Sequence, residues 1–420
     1  MELQYGFGRE IRTFSVPEKN LLCEVTQNPV KAESTGTDAV REALLNPIGT
    51  KRLKDMVKPG QKIVIVTSDI TRPCPSWLIV PEILKELHEG GADDSRITVV
   101  FALGSHRGHT EAEKKQLVGE DVYGRIRCLD SGADGFVHMG TTAAGTPVDI
   151  DCTVASADLR ICVGNIEFHY FAGYSGGAKA IMPGVSTRDA IQQNHSKMVL
   201  EEAKAGNLLG NPLRQDIEEA AAMVGVDFIL NVVLDEEKRV VKAVAGDLRK
   251  AHEEGCRFLD KLYKIGIPGK ADIVITTPGG FPKDINLYQA QKALDNAKHA
   301  VRDGGIIILA ASCTEGLGSE VFERWMLGSG SPDAMIDQIK EHFELGGHKA
   351  AAIAMVLKRC RIFLVSDLED SFVQRLFMEP YHDVDAALSE AFRILGNESS
   401  VIFMPHGGSV LPHVTEQLPG

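Results

Sequence analysis

Short runs of consecutive apolar residues alternate along the chain with longer segments of helical periodicity. The runs are rich in β-branched residues and apolar on both faces, which is typical of strands in a parallel sheet covered by helices. The alternation predicts an α/β protein. The predicted strands form two series: 62–67, 97–101, 159–163 and 228–233, then 272–276, 305–309, 361–365 and 401–404.

A long charged segment separates the two series. It is predicted to be a helix over Leu248–Tyr263, and it is followed by the stretch YKIGIPGK at positions 263–270. Glycine and proline at this spacing indicate a linker between domains. A chain of 420 residues is also long for a single hydrophobic core. We therefore expect two α/β domains.

Composition excludes several classes of function. A net charge of −13 argues against nucleic-acid binding, which requires a basic surface. No apolar stretch reaches membrane-spanning length, and the first residues do not resemble a signal peptide. The eight cysteines are scattered without a C-x-x-C pair, as in reduced proteins that use cysteine as a small apolar residue. These features predict a cytoplasmic protein with no membrane or nucleic-acid partner and no structural zinc site.

Polar residues collect where the predicted strands end, which is where open α/β sheets bind ligands. Three successive strands of the first series are followed by charged side chains and histidines, and a helix after strand 272–276 carries a further polar face. These residues are Asp69 and Arg72, His106 and Arg107, His169 and Lys179, and Tyr288, Gln289 and Lys292, with Asp284 as the predicted N-cap of the last helix. The cluster predicts an anionic small-molecule site with proton-transfer groups.

The segment Glu167–Lys179 is the most informative of these. Three glycines within 173–177 allow the backbone to approach a ligand closely, because glycine has no Cβ. Lysine can become a covalent amine anchor, and histidine can carry a proton or bind a metal. His195 follows near the end of the next predicted helix, which begins with a capping-box variant, Ser186 to Asp189.

Each group taken alone also has a structural interpretation. Asp69 and Arg72 could form a turn ion pair, and His106 could satisfy loop backbone groups. The polar face from Tyr288 to Lys292 could be solvated, and His195 could favour the helix dipole. The cluster as a whole favours function more strongly than its members do.

Five segments in a fixed order carry a family pattern: Ser68–Pro73, Gly104–Arg107, His169–Lys179, Asn194–His195 and Tyr288–Lys292. Through them the chain resembles the nickel-pincer-nucleotide lactate racemase family over essentially its full length. The resemblance implies two Rossmann-like α/β domains with an active-site cleft between them. It implies an N-terminal cofactor-binding domain of residues 1–266 plus 398–420 and a C-terminal Rossmann-like domain of residues 267–397.

The resemblance also implies a cofactor, the nickel-pincer nucleotide, a pyridinium mononucleotide whose two thiocarboxylate arms hold Ni(II). By this resemblance Lys179 is linked covalently to one arm and His195 is a nickel ligand. Sulfur and imidazole donors suit Ni(II). The segment Asp69, Ile70, Thr71 and Arg72 is expected to contact the cofactor, which separate biosynthetic enzymes must build.

The implied reaction is racemisation or epimerisation of a 2-hydroxy acid by reversible hydride transfer from Cα to the pyridinium. His106 and His169 are expected to be the paired acid and base. Arg72, Gln289 and Lys292 are expected to hold the substrate carboxylate, with Tyr288 lining the pocket.

One departure from the family concerns the substrate. In the lactate enzyme a tryptophan closes over the small substrate, whereas the corresponding region here, Leu345–Ala352, has none. Trp325 lies elsewhere and is expected to be a packing residue. We therefore expect a 2-hydroxy acid that is larger or more polar than lactate, with His348 or Lys349 meeting an additional polar group.

Two alternatives remain at this point. A nicotinamide-dependent 2-hydroxy acid dehydrogenase would have a G-x-G-x-x-G after its first strand, but Ser68–Arg72 stands there instead. A non-catalytic sensor of an organic acid or nucleotide would need fewer proton carriers than this cluster offers. The expected partners are a small 2-hydroxy acid and the cofactor-biosynthesis enzymes, and homo-oligomerisation stays open.

Overall fold

The computed structural model describes residues 1–415, which contain twenty strands and fourteen α-helices. None of the helices in this part of the chain is long and apolar enough to cross a membrane. The strands are β1 (Glu2–Phe7), β2 (Glu10–Ser15), β3 (Leu21–Glu24), β4 (Ile63–Ser68), β5 (Ile97–Ala102), β6 (Arg127–Asp130), β7 (Phe136–Thr141), β8 (Pro147–Asp151), β9 (Leu159–Asn165), β10 (Phe168–His169), β11 (Gly173–Tyr174), β12 (Phe228–Leu234), β13 (Val240–Gly246), β14 (Lys264–Ile267), β15 (Ala271–Thr276), β16 (Val301–Ala310), β17 (Arg361–Val365), β18 (Glu379–Tyr381), β19 (Val401–Met404) and β20 (Leu411–Val414). The helices are α1 (Gly36–Leu45), α2 (Ser76–Glu89), α3 (Glu111–Val118), α4 (Glu120–Arg125), α5 (Cys152–Ala155), α6 (Arg188–His195), α7 (Pro212–Val224), α8 (Leu248–Tyr263), α9 (Leu287–Ala297), α10 (Glu320–Gly328), α11 (Pro332–Glu341), α12 (Gly347–Leu357), α13 (Asp370–Arg375) and α14 (Val384–Leu395).

Residues 30–261 form one compact unit around a six-stranded sheet. The strand order is β13-β12-β9-β4-β5-β6, and every neighbouring pair is parallel except β12 with β13. The central strand β4 has the sequence IVIVTS, and its first five residues are buried. Because β4 lies between β9 and β5, the loops that follow these three strands leave the sheet at the same edge.

Residues 1–29 and 262–415 form the second unit, also around a six-stranded sheet. Its order is β18-β17-β16-β15-β19-β3, and all neighbours are parallel. The core of this unit is formed by aliphatic side chains of β15 and β16 together with Phe14, Phe363 and Phe403. Helix α9 follows β15, so its first turn lies at the carboxyl edge of this sheet.

The α/β class and all eight strands predicted from apolar runs are confirmed, as is the helix Leu248–Tyr263. Strand β16 begins at Val301, earlier than its apolar run suggests. Its first residue pairs with Ala271 before a register shift, and the polar residues between do not interrupt the strand. An apolar run therefore locates a buried strand better than it locates the strand's beginning.

The structural division differs from the expected domain boundaries at both ends of the chain. Residues 1–29 and 398–415 were expected with the first domain, but they belong to the unit that contains residues 262–397. The reason is strand pairing: β19 pairs with β15 on one side and with β3 on the other. Residues 416–420, also assigned to the first domain, lie outside the described residues.

Two predicted helix caps are wrong by one or two residues. The cap of α9 is Asn286, which accepts the N–H of Gln289 at 3.0 Å, whereas the buried Asp284 accepts the N–H groups of Gly8 and Ser312 at 2.6 and 3.1 Å. Asp284 thus satisfies backbone N–H groups in two loops of its own unit. The cap of α6 is likewise Thr187 and not Ser186.

Candidate active site

Asp69 is the centre of the loop that follows β4. Its buried carboxylate accepts hydrogen bonds from Nδ1 of His106 at 2.7 Å and from the hydroxyl of Thr71 at 3.0 Å. The guanidinium of Arg72 lies 4.0 Å away. Burial alone would raise the pKa of Asp69, but the His106 hydrogen bond and charge, with Arg72 and Thr71, together lower the pKa below its ordinary value. An ionised Asp69 therefore fixes the ring of His106 through Nδ1, as in aspartate–histidine pairs that transfer protons through Nε2.

A second aspartate–histidine pair supports this loop and was missed in the sequence. Nδ1 of His109 donates to Asp130 at 2.6 Å, and Nε2 accepts the backbone N–H of Ile70 at 3.0 Å. The side chain of His109 is only 1% exposed. One ring nitrogen donates and the other accepts, so both are occupied in positioning Ile70 beside Asp69. The feature of the sequence that could have indicated His109 is its position three residues after His106.

The glycine-rich loop forms a short hairpin, β10 with β11, and later elements hold it in place. Asn231 on β12 accepts the N–H of Gly177 at 2.8 Å, and His252 on α8 donates to the carbonyl of Ser175 at 2.8 Å. Gly177 has a φ of +57°, and a Cβ there would lie 2.8 Å from the His252 ring. The loop therefore needs glycine for packing against its support, in addition to the ligand space predicted from the sequence.

Arg214 on α7 is the largest fully buried polar side chain near this loop. It donates to the carbonyl of Tyr174 at 2.9 Å and forms an ion pair with Glu218 at 2.6 Å. Burial, and then the charge of Arg214, lowers the pKa of His252 to about 3. His252 is therefore a neutral support of the loop. Nothing in the sequence distinguished Arg214 or His252 from ordinary helix residues.

Phe171 brings three predicted site residues together. The centre of its ring is 4.4 Å from the ring of His169 and 4.9 Å from the ring of His195, both in edge-on contact. Nζ of Lys179 lies 5.6 Å from the same ring. Nδ1 of His169 also accepts the N–H of Ala172 at 3.3 Å. One buried aromatic side chain thus groups the two histidines and the lysine.

The amine of Lys179 lies deep among protein atoms, although part of the residue's surface stays accessible. Burial first, and then the positive charges of Arg72 and Arg214, lower the pKa of Lys179 well below its ordinary value, while Glu167 opposes the shift. The effect of Arg72 links Lys179 to the Asp69 loop. A depressed pKa favours the neutral, nucleophilic form of a lysine amine.

His195 ends α6, as predicted, and is 6% exposed. Its Nδ1 donates to Oδ1 of Asn194 at 2.9 Å. Nδ2 of Asn194 donates in turn to Asp216 at 2.8 Å and to the carbonyl of Leu213 at 3.2 Å. Three further donors reach the buried carboxylate of Asp216: Thr142, Thr146 and Lys197. Asp216 carried no signal in the sequence, and Asn194 lay in a recognised segment without a role.

Three of the predicted substrate-binding residues, Tyr288, Gln289 and Lys292, lie in the unit formed by residues 1–29 and 262–415, whereas Arg72 belongs to the unit of residues 30–261. Gln289 and Lys292 are exposed on the first turns of α9. Tyr288 is partly buried, and its ring is 5.7 Å from that of Phe322 in edge-on contact. The arrangement leaves an amide and an ammonium group on one helix face at the carboxyl edge of the sheet.

Helix α12 adds a basic side chain beside Tyr288. Nζ of Lys349 donates to the carbonyl of Tyr288 and lies 3.8 Å from the centre of its ring. Lys349 and its neighbour His348 are each 7% exposed. The beginning of α12 therefore carries two polar side chains in the segment that was expected to meet an additional polar group of the substrate.

Trp325 is buried, as expected for a packing residue, with 2% of its surface exposed. Its indole N–H donates to Glu344 at 2.6 Å. A Cβ on Gly347 would lie 2.3 Å from the indole ring, so Trp325 packs directly on the first residue of α12. The tryptophan thus supports the helix that carries Lys349.

Within residues 1–415, no group of three or more His, Cys, Asp or Glu side chains is arranged to hold a metal ion. A metal ion bound by His195 would therefore need further donors from a bound ligand.

Comparison with known proteins gives a consistent result. Family models described as lactate racemase N-terminal domain and lactate racemase C-terminal domain match residues 7–207 and 268–412. The lactate racemase of Thermoanaerobacterium thermosaccharolyticum is 34% identical over 97% of this chain and 98% of the relative. That of Lactiplantibacillus plantarum is 34% identical over 89% and 90%.

Solved structures agree. The lactate racemase apoprotein from Thermoanaerobacterium thermosaccharolyticum superposes with a TM-score of 0.89 at 34% identity, covering 98% of this chain and all of that one. A protein from Thermotoga maritima has a TM-score of 0.64 at 18% identity over 92% of this chain, a likeness of fold alone.

Proposed function

This chain belongs to the lactate racemase family and is an isomerase, and on that premise we propose that it racemises or epimerises 2-hydroxy acids. The family implies a nickel-dependent cofactor, and we propose that it is the nickel-pincer nucleotide. When bound, this cofactor would take the hydride from Cα of the substrate and return it to either face. The observation that carries the proposal is the grouping of His106 on Asp69 with His169, Lys179 and His195 in one unit.

The residues present fit such a cofactor. The depressed pKa of Lys179 supports a neutral amine that can form the thioamide link. His195 offers an imidazole whose Nδ1 is already engaged by Asn194, so Nε2 would be the nitrogen that binds nickel. Ile70 and Thr71, with Asp69 and Arg72, would contact the nucleotide. The fixed position of Ile70 on His109 supports a preformed contact surface there.

His106 and His169 would exchange the hydroxyl proton of the substrate. Each ring is oriented at Nδ1, by Asp69 in the first case and by the N–H of Ala172 in the second. Both would therefore act through Nε2. Two differently placed proton carriers suit a reaction that must serve both faces of a planar 2-keto acid.

Gln289, Lys292 and Arg72 would hold the substrate carboxylate, with Tyr288 lining the pocket. Lys292 supplies a positive charge and Gln289 an amide donor on the same exposed helix face. A carboxylate held at several points keeps the acid in place while its carbonyl group turns.

We further propose that the substrate is larger or more polar than lactate. The segment Gly346–Ala352 consists largely of small residues where the resemblance implies a tryptophan over the substrate, and it contains His348 and Lys349. A second anionic or hydroxyl group on the substrate could meet Lys349, whose ammonium lies against Tyr288.

The test is expression with and without the cofactor-making enzymes, followed by intact-mass and nickel measurements. The holoprotein should carry stoichiometric nickel and a covalent adduct. Lys179→Ala should fold but carry no adduct, whereas Lys204→Ala, a matched change at another lysine of the same unit, should keep it. A wild-type chain without adduct after co-expression would overturn the cofactor assignment.

The same preparation separates the alternatives. Isomerisation of a 2-hydroxy acid without added nicotinamide nucleotide is expected from the racemase and not from a dehydrogenase. Binding without turnover would instead favour a sensor. We also propose that the protein works in the cytoplasm alongside the cofactor-biosynthesis enzymes, and that fractionation of cells will find it there.

A further inference from the structure

A chain of three buried polar side chains ends on the ring of His195. Asp216 accepts from Nδ2 of Asn194, and Oδ1 of Asn194 accepts from Nδ1 of His195. Asn194 and Asp216 are 0% and 2% exposed, so solvent does not compete for these hydrogen bonds. The donor and the acceptor in each of these hydrogen bonds then follow from which groups carry a proton.

Two groups next to Asn194 can only accept hydrogen bonds. The carbonyl of Leu213 has no proton to donate, and neither does the ionised carboxylate of Asp216. Both lie within hydrogen-bond distance of the same atom of Asn194, at 3.2 and 2.8 Å. That atom must be the amide nitrogen. The amide oxygen of Asn194 then faces His195, and an oxygen requires a proton on Nδ1.

Asp216 is held in its ionised form by its surroundings. Burial by itself would raise the pKa of Asp216, but hydrogen bonds from Lys197, Thr142, Thr146 and Asn194 together lower it. Nζ of Lys197 lies 2.8 Å from the carboxylate. The carboxylate of Asp216, at the end of this series of hydrogen bonds, therefore stays ionised at neutral pH.

From this geometry we infer that Asn194, oriented by Asp216 and the Leu213 carbonyl, is a positioning residue that keeps His195 in its Nδ1–H tautomer. In a neutral imidazole this places the lone pair on Nε2, and that nitrogen alone can bind a metal. The inference rests on the proposed function for its purpose, which is to present Nε2 to nickel. Phe171 restrains the ring plane through its edge-on contact at 4.9 Å. The tautomer itself is a property of the chain without cofactor.

The first test uses full-length apoprotein with 15N-labelled histidine. Long-range 1H–15N correlation spectra report which ring nitrogen carries the proton, and His195→Gln assigns the signal. Wild type should show a single Nδ1–H tautomer at His195. Asn194→Ala should shift His195 toward a mixture of tautomers. Gln193→Ala removes a carboxamide from the exposed side of the same helix and should behave as wild type.

Asp216→Asn is the conservative control. It retains a carbonyl oxygen that can accept from Asn194, so the tautomer should be preserved. An Nε2–H tautomer in wild type overturns the inference, and this result does not depend on whether Asn194→Ala folds. An unchanged Nδ1–H tautomer in folded Asn194→Ala overturns it as well.

The second test uses cofactor-loaded protein dialysed against a chelator. Removing a partner that orients a metal ligand typically weakens metal binding about 10- to 100-fold. Asn194→Ala should therefore lose nickel faster than wild type by a factor in this range, while Gln193→Ala should not. Equal loss from all three proteins contradicts the inference. If wild type carries no nickel at all, the proposed function fails and the tautomer result still decides the inference.

Discussion

Two histidines of the same unit are held at the same ring nitrogen by different groups. Nδ1 of His106 donates directly to the carboxylate of Asp69 at 2.7 Å. Nδ1 of His195 donates to the neutral amide of Asn194 at 2.9 Å, and the carboxylate of Asp216 stands one residue further away. Both arrangements present Nε2, but they place negative charge at different distances from the ring.

The difference corresponds to the two roles. A ring that accepts a proton becomes an imidazolium, and an adjacent carboxylate stabilises that positive charge. A ring that binds a metal must stay neutral with a defined lone pair, which an amide can orient without adding charge. We therefore interpret the His106 region as built for proton transfer and the His195 region as built for ligation.

Asp69→Asn should have the largest effect on this comparison. The substitution keeps the shape of the side chain but removes the charge beside His106, so turnover per bound nickel should fall about 100- to 10,000-fold. Steady-state kinetics normalised to nickel content measures the loss. The tautomer of His195 should not change.

Asp94→Asn is the matched control for Asp69→Asn. Asp94 pairs with His88 at 2.6 Å, and about a third of each side chain is exposed. Removal of this surface carboxylate should leave turnover unaffected. Turnover in Asp69→Asn close to that of wild type would break the assignment of His106 as a proton carrier.

His109→Phe should destabilise the loop that carries Asp69. It leaves the partly buried N–H of Ile70 without its acceptor, and loss of the acceptor of a buried donor typically costs about 1–3 kcal/mol in the free energy of unfolding. Urea unfolding of the apoprotein measures the change. His138→Phe breaks an exposed histidine–aspartate pair and should cost less than about 1 kcal/mol. Similar values for the two variants would mean that His109 is not a support.

Lys349→Met should narrow the range of substrates. It removes the ammonium beside Tyr288 but retains the aliphatic chain. We expect kcat/KM for 2-hydroxy acids with a second carboxylate to fall about tenfold relative to lactate, the scale of one polar contact. Lys340→Met, on an exposed part of α11, is the control. An equal effect on both acid classes would remove Lys349 from substrate recognition.

Lys179→Met should stabilise the apoprotein modestly, with a defined pH dependence. The pKa of Lys179 is lowered in the folded state, so between that lowered pKa and 10.5 the unfolded chain binds a proton that the folded chain does not. Wild-type stability is therefore reduced at neutral pH and recovers as the pH rises toward 10.5. The difference in Tm between the variant and wild type should shrink over the same range. A pH-independent difference would contradict a depressed pKa.

The sequence was sufficient for the fold where burial alone decides the structure. Every predicted strand was a run apolar on both faces, and each is present. The pairing of β3 with β19 was not predictable, because β3 is short, alternates exposed and half-buried positions, and joins residues far apart in the chain. That pairing is why both chain ends belong to the second unit.

The site shows the same limit at the level of side chains. Residues in recognisable segments, such as Asp69, His106 and Lys179, could be named in advance and do lie in contact with one another or with shared neighbours. Asp216 and Arg214 could not, because the contacts that tie these two α7 residues to the site, with Asn194 and with the carbonyl of Tyr174, are made with other elements. Support of a site depends on three-dimensional neighbours, for which one sequence carries no local signal.

The most direct test of the central claim follows the fate of the Cα hydrogen. Nickel-loaded protein is incubated in D2O with single enantiomers of 2-hydroxy acids, and both chirality and deuterium content at Cα are measured. We predict inversion with protium retained at Cα, because hydride is returned to the same carbon. Deuterium incorporated at Cα at the rate of inversion, or no inversion of any 2-hydroxy acid, would contradict the account.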